Sequence, residues 1–224
     1  MTVNYCELTE AYKKIVTECY PKSEAYIKIR CSEYLNEYCR RRRLMIELAD
    51  EHFFKDYFLK WLPYKICLED VEVIDSLYSS TEEYVRLIDM ISGTSVHKKF
   101  LLIDSKVKYE AVRLMLLKRN IMEYNNSFII SKMPCIIDLE KYRAKKENIE
   151  KSDEHDRGRF KVESIFSGNS VVLSKLNGEY YIRLFFNKDI MDLIDEKDIF
   201  DISIVRNEKS GKWVLDEING CYTM

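Results

Sequence analysis

The spacing of apolar residues changes once along this chain, and no other feature of the sequence constrains the fold as strongly. From Asn4 to about Glu123, apolar residues recur at every third or fourth position, which is the repeat of amphipathic helices. From Phe160 onward they alternate with polar residues, which is the repeat of half-buried strands. We therefore predict an α+β protein in which an all-helical N-terminal domain precedes a small β domain.

The helical segment contains one dense aromatic stretch, which we predict to be the centre of its core. Pro63 ends the helix that carries this stretch, because proline lacks an amide donor and clashes with the preceding turn. The large apolar residues of the stretch are Phe53, Phe54, Tyr57, Phe58, Trp61 and Leu62.

Two local patterns predict where other helices begin and end. Ser80 and Glu83 have the spacing of a capping box, in which a hydroxyl and a carboxylate satisfy free amides at a helix start, so a helix is expected to begin there. The last long helix is expected to end before residues 128–130. These residues and 135–137 are predicted to be extended, and Asp138 is expected to cap a final charged helix.

The C-terminal segment has the pattern of five strands with a short helix between the third and the fourth. Its strongest signal is Asn177-Gly178, because both residues accept the positive φ of a tight hairpin turn. This order of elements predicts a small five-stranded antiparallel β-barrel of an OB-like or SH3-like kind. Closure into a barrel would also protect the strand edges.

Composition predicts the position of the domain boundary. Ten charged residues and a single branched apolar residue lie between Ala144 and Arg159, which is too little apolar surface to pack a compact element. We predict a helical domain over residues 1–145, a charged linker over 146–158 and the β-barrel over 159–224.

Cysteine usage and the N-terminal sequence predict the cellular compartment. The seven cysteines are an odd number, at spacings that match no zinc ligand set or small disulfide framework. The chain starts without the basic and apolar regions of a secretory signal, and no window approaches the ~20 apolar residues of a membrane span. A cytoplasmic protein with reduced thiols and no membrane partner is expected.

Motifs of the common catalytic and cofactor sites are missing from the sequence. The six glycines are isolated, which disfavours phosphate-binding loops, and no serine nucleophile elbow or zinc-protease motif occurs. His52 and Asp56 could hold a divalent ion, but a surface contact is the preferred interpretation. Cys31 and Cys39 are likewise expected to be ordinary thiols. We expect no cofactor, no metal and no catalytic residues, and the sequence leans against an enzyme.

A run of four arginines is the sharpest basic feature. Consecutive residues of a helix point in different directions, so the four side chains cannot all face one phosphate track. Some of them are expected to pair with Glu37, Glu47 or Asp50. A salt-bridged turn is favoured over contact with phosphate or nucleic acid. The run, a candidate binding site, consists of Arg40, Arg41, Arg42 and Arg43.

The third strand provides a second candidate binding site. If its alternate residues fill the core, the opposite face displays Tyr181, Arg183 and Phe185. Such a face can pack on the helical domain, bind a protein, or stack bases while the arginine meets phosphate. Residues 151–224 contain 11 Lys and Arg against 14 Asp and Glu, a net charge of −3, which disfavours nucleic acid. Oligonucleotide binding below ~10 μM is therefore not expected.

Taken together, the sequence favours a non-catalytic protein-binding or adaptor module of the cytoplasm. The alternative is a nucleic-acid-binding accessory protein that uses the arginine run and the third strand, and an enzyme with an unrecognised site comes third. The formal charge of −2 and the pI near 6.0 provide no overall field toward nucleic acid or membranes. The protein partner and the oligomeric state are left open.

Overall fold

A computed structural model of the chain describes residues 5–66, 71–132, 155–178, 180–207 and 210–223. The first part of the described chain is helical and the last part is a five-stranded antiparallel sheet, which confirms the predicted α+β class. Within these ranges, no helix carries an apolar stretch of the length that a membrane crossing requires.

Seven helices precede the sheet in the described part of the chain, as the repeat of apolar residues predicts. They are α1 (Tyr5–Cys19), α2 (Lys22–Arg42), α3 (Glu51–Asp56), α4 (Leu62–Lys65), α5 (Val71–Ser92), α6 (Val96–Phe100) and α7 (Ser105–Lys132). A 3₁₀ turn at Ile46–Leu48 lies between α2 and α3, and a π-helical turn at Tyr57–Trp61 lies between α3 and α4. Asp50 begins α3, since its side chain accepts a hydrogen bond of 2.8 Å from the amide of Phe53.

Contacts divide the chain into two compact units. The helical unit comprises residues 1–62 and 69–113, and the sheet unit comprises residues 63–68 and 114–224. The second half of α7 therefore packs with the sheet. The predicted domain limits at residues 145 and 159 stay a prediction.

The predicted aromatic stretch lies in the core of the helical unit. Phe54 and Tyr57 are fully buried, while Trp61 is only half-buried. The ring of Phe54 meets Phe100 of α6 edge-on at a centroid distance of 5.0 Å, and Tyr57 stacks on Trp61 at 5.6 Å. Such ring pairs stabilise the fold beyond the area that they bury.

Two predictions about helix ends are wrong. Helix α5 runs without a break through Ser80, so no helix begins there. The neighbouring Thr81 hydroxyl donates a hydrogen bond of 2.7 Å to the Leu77 carbonyl, which is a contact made inside a helix rather than at its start. Helix α7 continues through residues 128–130, which the sequence pattern predicts to be extended. The predicted strand at 135–137 and the helix after it lie outside the described residues.

The five strands and the short helix after the third of them occur in the predicted order. The strands are β1 (His155–Phe166), β2 (Ser170–Lys175), β3 (Tyr181–Phe185), β4 (Asp198–Arg206) and β5 (Trp213–Thr223), and helix α8 is Lys188–Met191. The sheet order is β3-β2-β1-β4-β5, with antiparallel neighbours throughout. Among the described residues no backbone ladder joins β3 to β5, so closure into a barrel stays a prediction.

Strand β1 begins earlier than the predicted barrel. Its first residues pair with β4 from His155 opposite Val205 to Lys161 opposite Ile199. Residues 155–158, assigned to the linker because of their charge, therefore belong to the strand. Their charged side chains occupy the exposed positions of an alternating pattern, which composition alone cannot distinguish from a solvated linker.

A tight contact holds Tyr64 of α4 against β5 within the sheet unit. A Cβ atom placed on Gly220 would lie 2.7 Å from Cδ2 of Tyr64 and 3.5 Å from its Cα. The carbonyl of Tyr64 in turn accepts a hydrogen bond of 2.5 Å from Nζ of the buried Lys118. Glycine at position 220 thus permits the close approach that places Tyr64 between β5 and α7.

We predict that Gly220→Ala lowers the free energy of unfolding by about 1–3 kcal/mol, because the added methyl group forces the Tyr64 ring out of its place. Urea unfolding followed by circular dichroism measures this change. Gly168→Ala is the matched control, since a methyl group added there would meet nothing within 4 Å, and it should change the stability by less than ~1 kcal/mol. Equal effects of the two substitutions would contradict the close packing at Gly220.

Candidate binding surface

The acidic and histidine side chains of the described residues do not assemble a metal site. No group of three or more potential ligands occurs among them. His52, whose side chain is 82% exposed, makes the expected surface contact with Asp56 at 3.9 Å. The Asp56 carboxylate is already held by Arg42 at 2.8 Å and Lys60 at 2.7 Å, so its charge is balanced by cations of the protein.

Four cysteines, Cys19, Cys31, Cys39 and Cys221, are in the thiol form and differ in exposure. Cys31 and Cys39 on α2, as well as Cys221 on β5, are buried, whereas Cys19 at the end of α1 is exposed. Burial, with a smaller effect from the nearby Glu47, raises the pKa of the Cys39 thiol to about 12. The thiolate is the nucleophile and metal ligand, so Cys39 is chemically inert at neutral pH.

We predict that iodoacetamide at about pH 8.5, the ordinary pKa of a thiol, alkylates Cys19 and leaves Cys39 unmodified in the folded protein. Below its raised pKa of about 12, Cys39 remains a protonated thiol and is also shielded from the reagent. Peptide mass spectrometry after quenching reports each site, and the same treatment in denaturant is the control in which both sites react. Alkylation of both cysteines at similar rates in the folded state would contradict this assignment.

The four side chains of the arginine run have different surroundings, and their role as a binding site stays a prediction. Helix α2 ends at Arg42, and Arg43 adopts a left-handed conformation with φ 51° that terminates the helix. Arg41 pairs with Glu37 at 3.2 Å, one of the partners that the sequence predicts. Arg42 donates hydrogen bonds to the Tyr38 hydroxyl at 3.0 Å and to Asp56 at 2.8 Å. Two of the four arginines therefore bind carboxylates of the protein itself.

Arg42 is consequently expected to stabilise the helical unit. We predict that Arg42→Gln lowers the free energy of unfolding by about 1 kcal/mol, since the Tyr38 hydroxyl and Asp56 both lose a charged donor at a partly exposed site. Arg40→Gln, two residues away and exposed, is the control and should stay within ~0.5 kcal/mol of the unaltered protein. Chemical unfolding curves of both variants provide the test, and equal stabilities would show that the Arg42 contacts are energetically negligible.

Strand β3 has the alternation that its sequence predicts. Ile182 and Leu184 are each 2% exposed and point into the core of the sheet unit. Tyr181 is 69% exposed and Phe185 is 49% exposed, with the exposed Arg183 between them. A single exposed ring is ordinary, whereas exposed rings that neighbour one another on one face can mark an interaction site.

Two residues that the sequence pattern does not single out join this face. The Arg183 guanidinium lies 4.9 Å from the ring centroid of Phe166 on β1, and Nζ of Lys212 lies 5.5 Å from that of Phe185. Strand pairing sets Phe166 opposite Ser170, and Ser170 opposite Phe185, so that all three share one face. We call Phe166, Tyr181, Arg183, Phe185 and Lys212 the aromatic face.

A β-bulge explains why the sequence pattern does not reveal Phe166. Simple alternation from Phe160 and Val162 would direct Phe166 into the core. The pairing with β2 instead shifts between Val162 and Ser164, which leaves Glu163 as an extra residue. Residues after the bulge are therefore displayed on the other face, and Phe166 is 43% exposed.

The charge of the aromatic face differs from that of the sheet unit around it. In the described part of the chain, neither Arg183 nor Lys212 forms an ion pair. The neighbouring carboxylate of Glu163 is occupied by Lys161 at 3.2 Å and by the hydroxyl of Ser174 at 2.6 Å. The face therefore combines accessible rings with cations that are free to meet an anion.

Comparison with known proteins adds no further assignment. No protein-family model matches the chain, no curated protein matches it, and no solved structure matches it. What the aromatic face can bind therefore follows from its own chemistry. Its rings provide stacking surfaces, and its two cations provide charge for a ligand that carries both flat apolar groups and negative charges.

Proposed function

We propose that the sheet unit is an OB-like module that binds single-stranded nucleic acid on its aromatic face. The observation that supports this proposal above all is the grouping of exposed rings with two cations, Arg183 and Lys212, that form no ion pair with the described residues. The sequence alone ranks this function second, because it reveals the total charge of the C-terminal segment rather than the charges of one face.

The order of the strands supports an OB-like module. In an OB fold, five strands form a partly open Greek-key barrel. The order β3-β2-β1-β4-β5 makes β3 and β5 the outer strands of the sheet, and successive antiparallel pairing directs them the same way. Their ends approach each other, since the rings of Tyr180 and Trp213 stack at a centroid distance of 6.5 Å. This approach favours a barrel in which side-chain contacts between β3 and β5 complete the closure.

The position of the aromatic face within such a module supports a nucleic-acid ligand. The surface formed by strands 2 and 3 is where OB folds bind oligonucleotides and oligosaccharides. Tyr181, Arg183 and Phe185 lie on β3, and the β2 residues opposite them are Ser174, Val172 and Ser170. Because these β2 side chains are small, they leave the rings of β3 accessible from the solvent. Stacking of one base on an exposed ring contributes about 1–3 kcal/mol.

The local distribution of charge supports binding of phosphates despite the net charge of −3. Several carboxylates of the sheet unit are engaged elsewhere. Asp156 binds Lys175, and Asp198 is fully buried and accepts a hydrogen bond from the Asp195 amide. The cations of the aromatic face are thus not neutralised by their neighbours, and affinity for a polyanion depends on such local contacts.

A protein-binding or adaptor role in the cytoplasm is the second candidate. The observation that favours it is the exposure of Tyr181 and Phe185 within residues 151–224, which have a net negative charge, since Tyr, Phe and Arg are enriched at protein interfaces. A protein partner would be recognised by the rings without a strong dependence on salt.

Binding of a labelled oligothymidylate of about 15 nucleotides, measured by fluorescence anisotropy at about 0.15 M salt, tests the proposal. We predict a dissociation constant below ~10 μM for the unaltered protein. Tyr181→Ala and Phe185→Ala should each weaken binding about 5- to 150-fold, since each removes a stacking ring. Tyr109→Ala, which removes a ring that is 73% exposed on α7 in the helical unit, is the matched control and should leave the affinity unchanged.

Two results would contradict the proposal. The first is an unaltered protein that does not bind the oligonucleotide below ~10 μM, which is the outcome that the sequence alone predicts. The second is binding that Tyr181→Ala and Phe185→Ala leave unchanged, because nucleic acid would then contact another surface. Either result would leave the protein-binding role as the better assignment of the exposed rings.

A further inference from the structure

We infer that two outward-facing arginines of β1, Arg157 and Arg159, hold the phosphate backbone of the same single strand whose bases stack on the aromatic face. This inference rests on the proposed function and extends it to a second surface. The two arginines continue along the strand into Lys161, which is paired with Glu163 at 3.2 Å, and we call the three residues the basic row. None of them belongs to the candidate sites that the sequence predicts.

The basic row occupies one face of β1. Arg157 and Arg159 are exposed, while Phe160 and Val162 point to the opposite side and are fully buried. The bulge at Glu163 follows the row, so it does not disturb the alternation within it. Successive members of the row are about 6.6 Å apart along the strand. The row is therefore an ordered series of cations on a rigid element.

Strand pairing joins the basic row to the aromatic face. Lys161 lies opposite Ser174 of β2, and Ser174 lies opposite Tyr181 of β3. Opposite residues of neighbouring strands project to the same side of a sheet, and two strand spacings amount to about 9.6 Å. A single strand stacked on Tyr181 can therefore continue across Ser174 onto the basic row without leaving the surface of the sheet.

The two arginines of the row lack carboxylate partners among the residues that the structure describes. Several arginines of the helices are paired by contrast, as Arg119 is with Glu123 at 2.9 Å and Arg113 is with Glu110. Asp201 lies opposite Arg159 in the strand register, yet its carboxylate accepts a hydrogen bond from Asn219 and forms no ion pair with Arg159.

The surroundings of Arg159 suit phosphate recognition. Its guanidinium lies 5.8 Å from the ring centroid of Tyr222 on β5, a contact that orients the group and leaves its donors in the guanidinium plane available. A planar guanidinium matches the paired oxygens of a phosphodiester. Two arginines that form no ion pair with the described residues are available to an external anion, although residues 151–224 contain more carboxylates than cations.

The salt dependence of oligothymidylate binding tests the inference. Each phosphate contact to a single strand contributes about 0.7 to the slope of log affinity against log salt concentration. The double variant Arg157→Gln/Arg159→Gln should reduce this slope by about 1.4 and weaken binding about tenfold at 0.15 M salt. The double variant Lys14→Gln/Lys22→Gln removes two exposed cations of the helical unit and is the control for total charge, so its slope should match that of the unaltered protein.

The outcomes separate this inference from the proposed function. If the unaltered protein binds through Tyr181 and Phe185 but the Arg157/Arg159 variant keeps the full slope, the basic row is not part of the site and the proposed function stands. If the Lys14/Lys22 control variant shows the same fall in slope, the effect comes from total charge, and phosphate contact by the basic row is contradicted. If the unaltered protein does not bind at all, both the proposed function and the row are wrong. Thermal unfolding of each variant confirms that exposed substitutions leave the fold intact.

Discussion

The pairing of β1 with two partners is the constraint on which the sheet unit depends. The first half of this strand forms hydrogen bonds with β4 and the second half with β2, so one continuous strand connects the two sides of the sheet. The transition needs a local change of direction, which the bulge at Glu163 supplies. The bulge also moves the side chains of all later β1 residues to the opposite side of the sheet. As a result, Phe166 is exposed beside Arg183 instead of being buried on the same side as Phe160.

The two units stabilise polar groups in different ways. In the helical unit, polar side chains meet partners from distant parts of the sequence: the buried Lys28 donates to Glu83 at 2.5 Å, and Asn36 donates to the hydroxyl of Tyr84 at 3.0 Å. Burial also raises the pKa of Tyr84, which keeps its hydroxyl neutral. Such satisfied networks specify one arrangement of packed helices. The outward face of the sheet leaves its arginines without carboxylate partners among the described residues, which is a property suited to external ligands.

The features that the sequence predicts well are those encoded by near neighbours. The alternation that exposes Tyr181, Arg183 and Phe185 has a period of two. The hairpin between β2 and β3 also occurs where Asn177-Gly178 predicts a turn, although neither residue adopts the positive φ on which that prediction is based. The features that it misses depend on which segments meet in space. The bulge is a relation between two strands, and the contact of Lys212 with Phe185 depends on the approach of β5 to β3. The pairing of Arg42 with Asp56 requires the end of α2 to lie beside the end of α3. None of these can be read from spacing along one segment.

The meeting of β3 and β5 through side chains has a mechanical consequence. Among the described residues, the stacked rings of Tyr180 and Trp213 and the contact of Lys212 with Phe185 bridge this seam, and no backbone ladder does. Widening the seam therefore breaks no inter-strand hydrogen bond and costs only dispersion and cation–π contacts. The circumference of the unit is adjustable there, while the ladders elsewhere hold the other strand pairs in register. Because the junction of β3 and β5 borders the aromatic face, its opening would let that face change curvature while the paired strands keep their register.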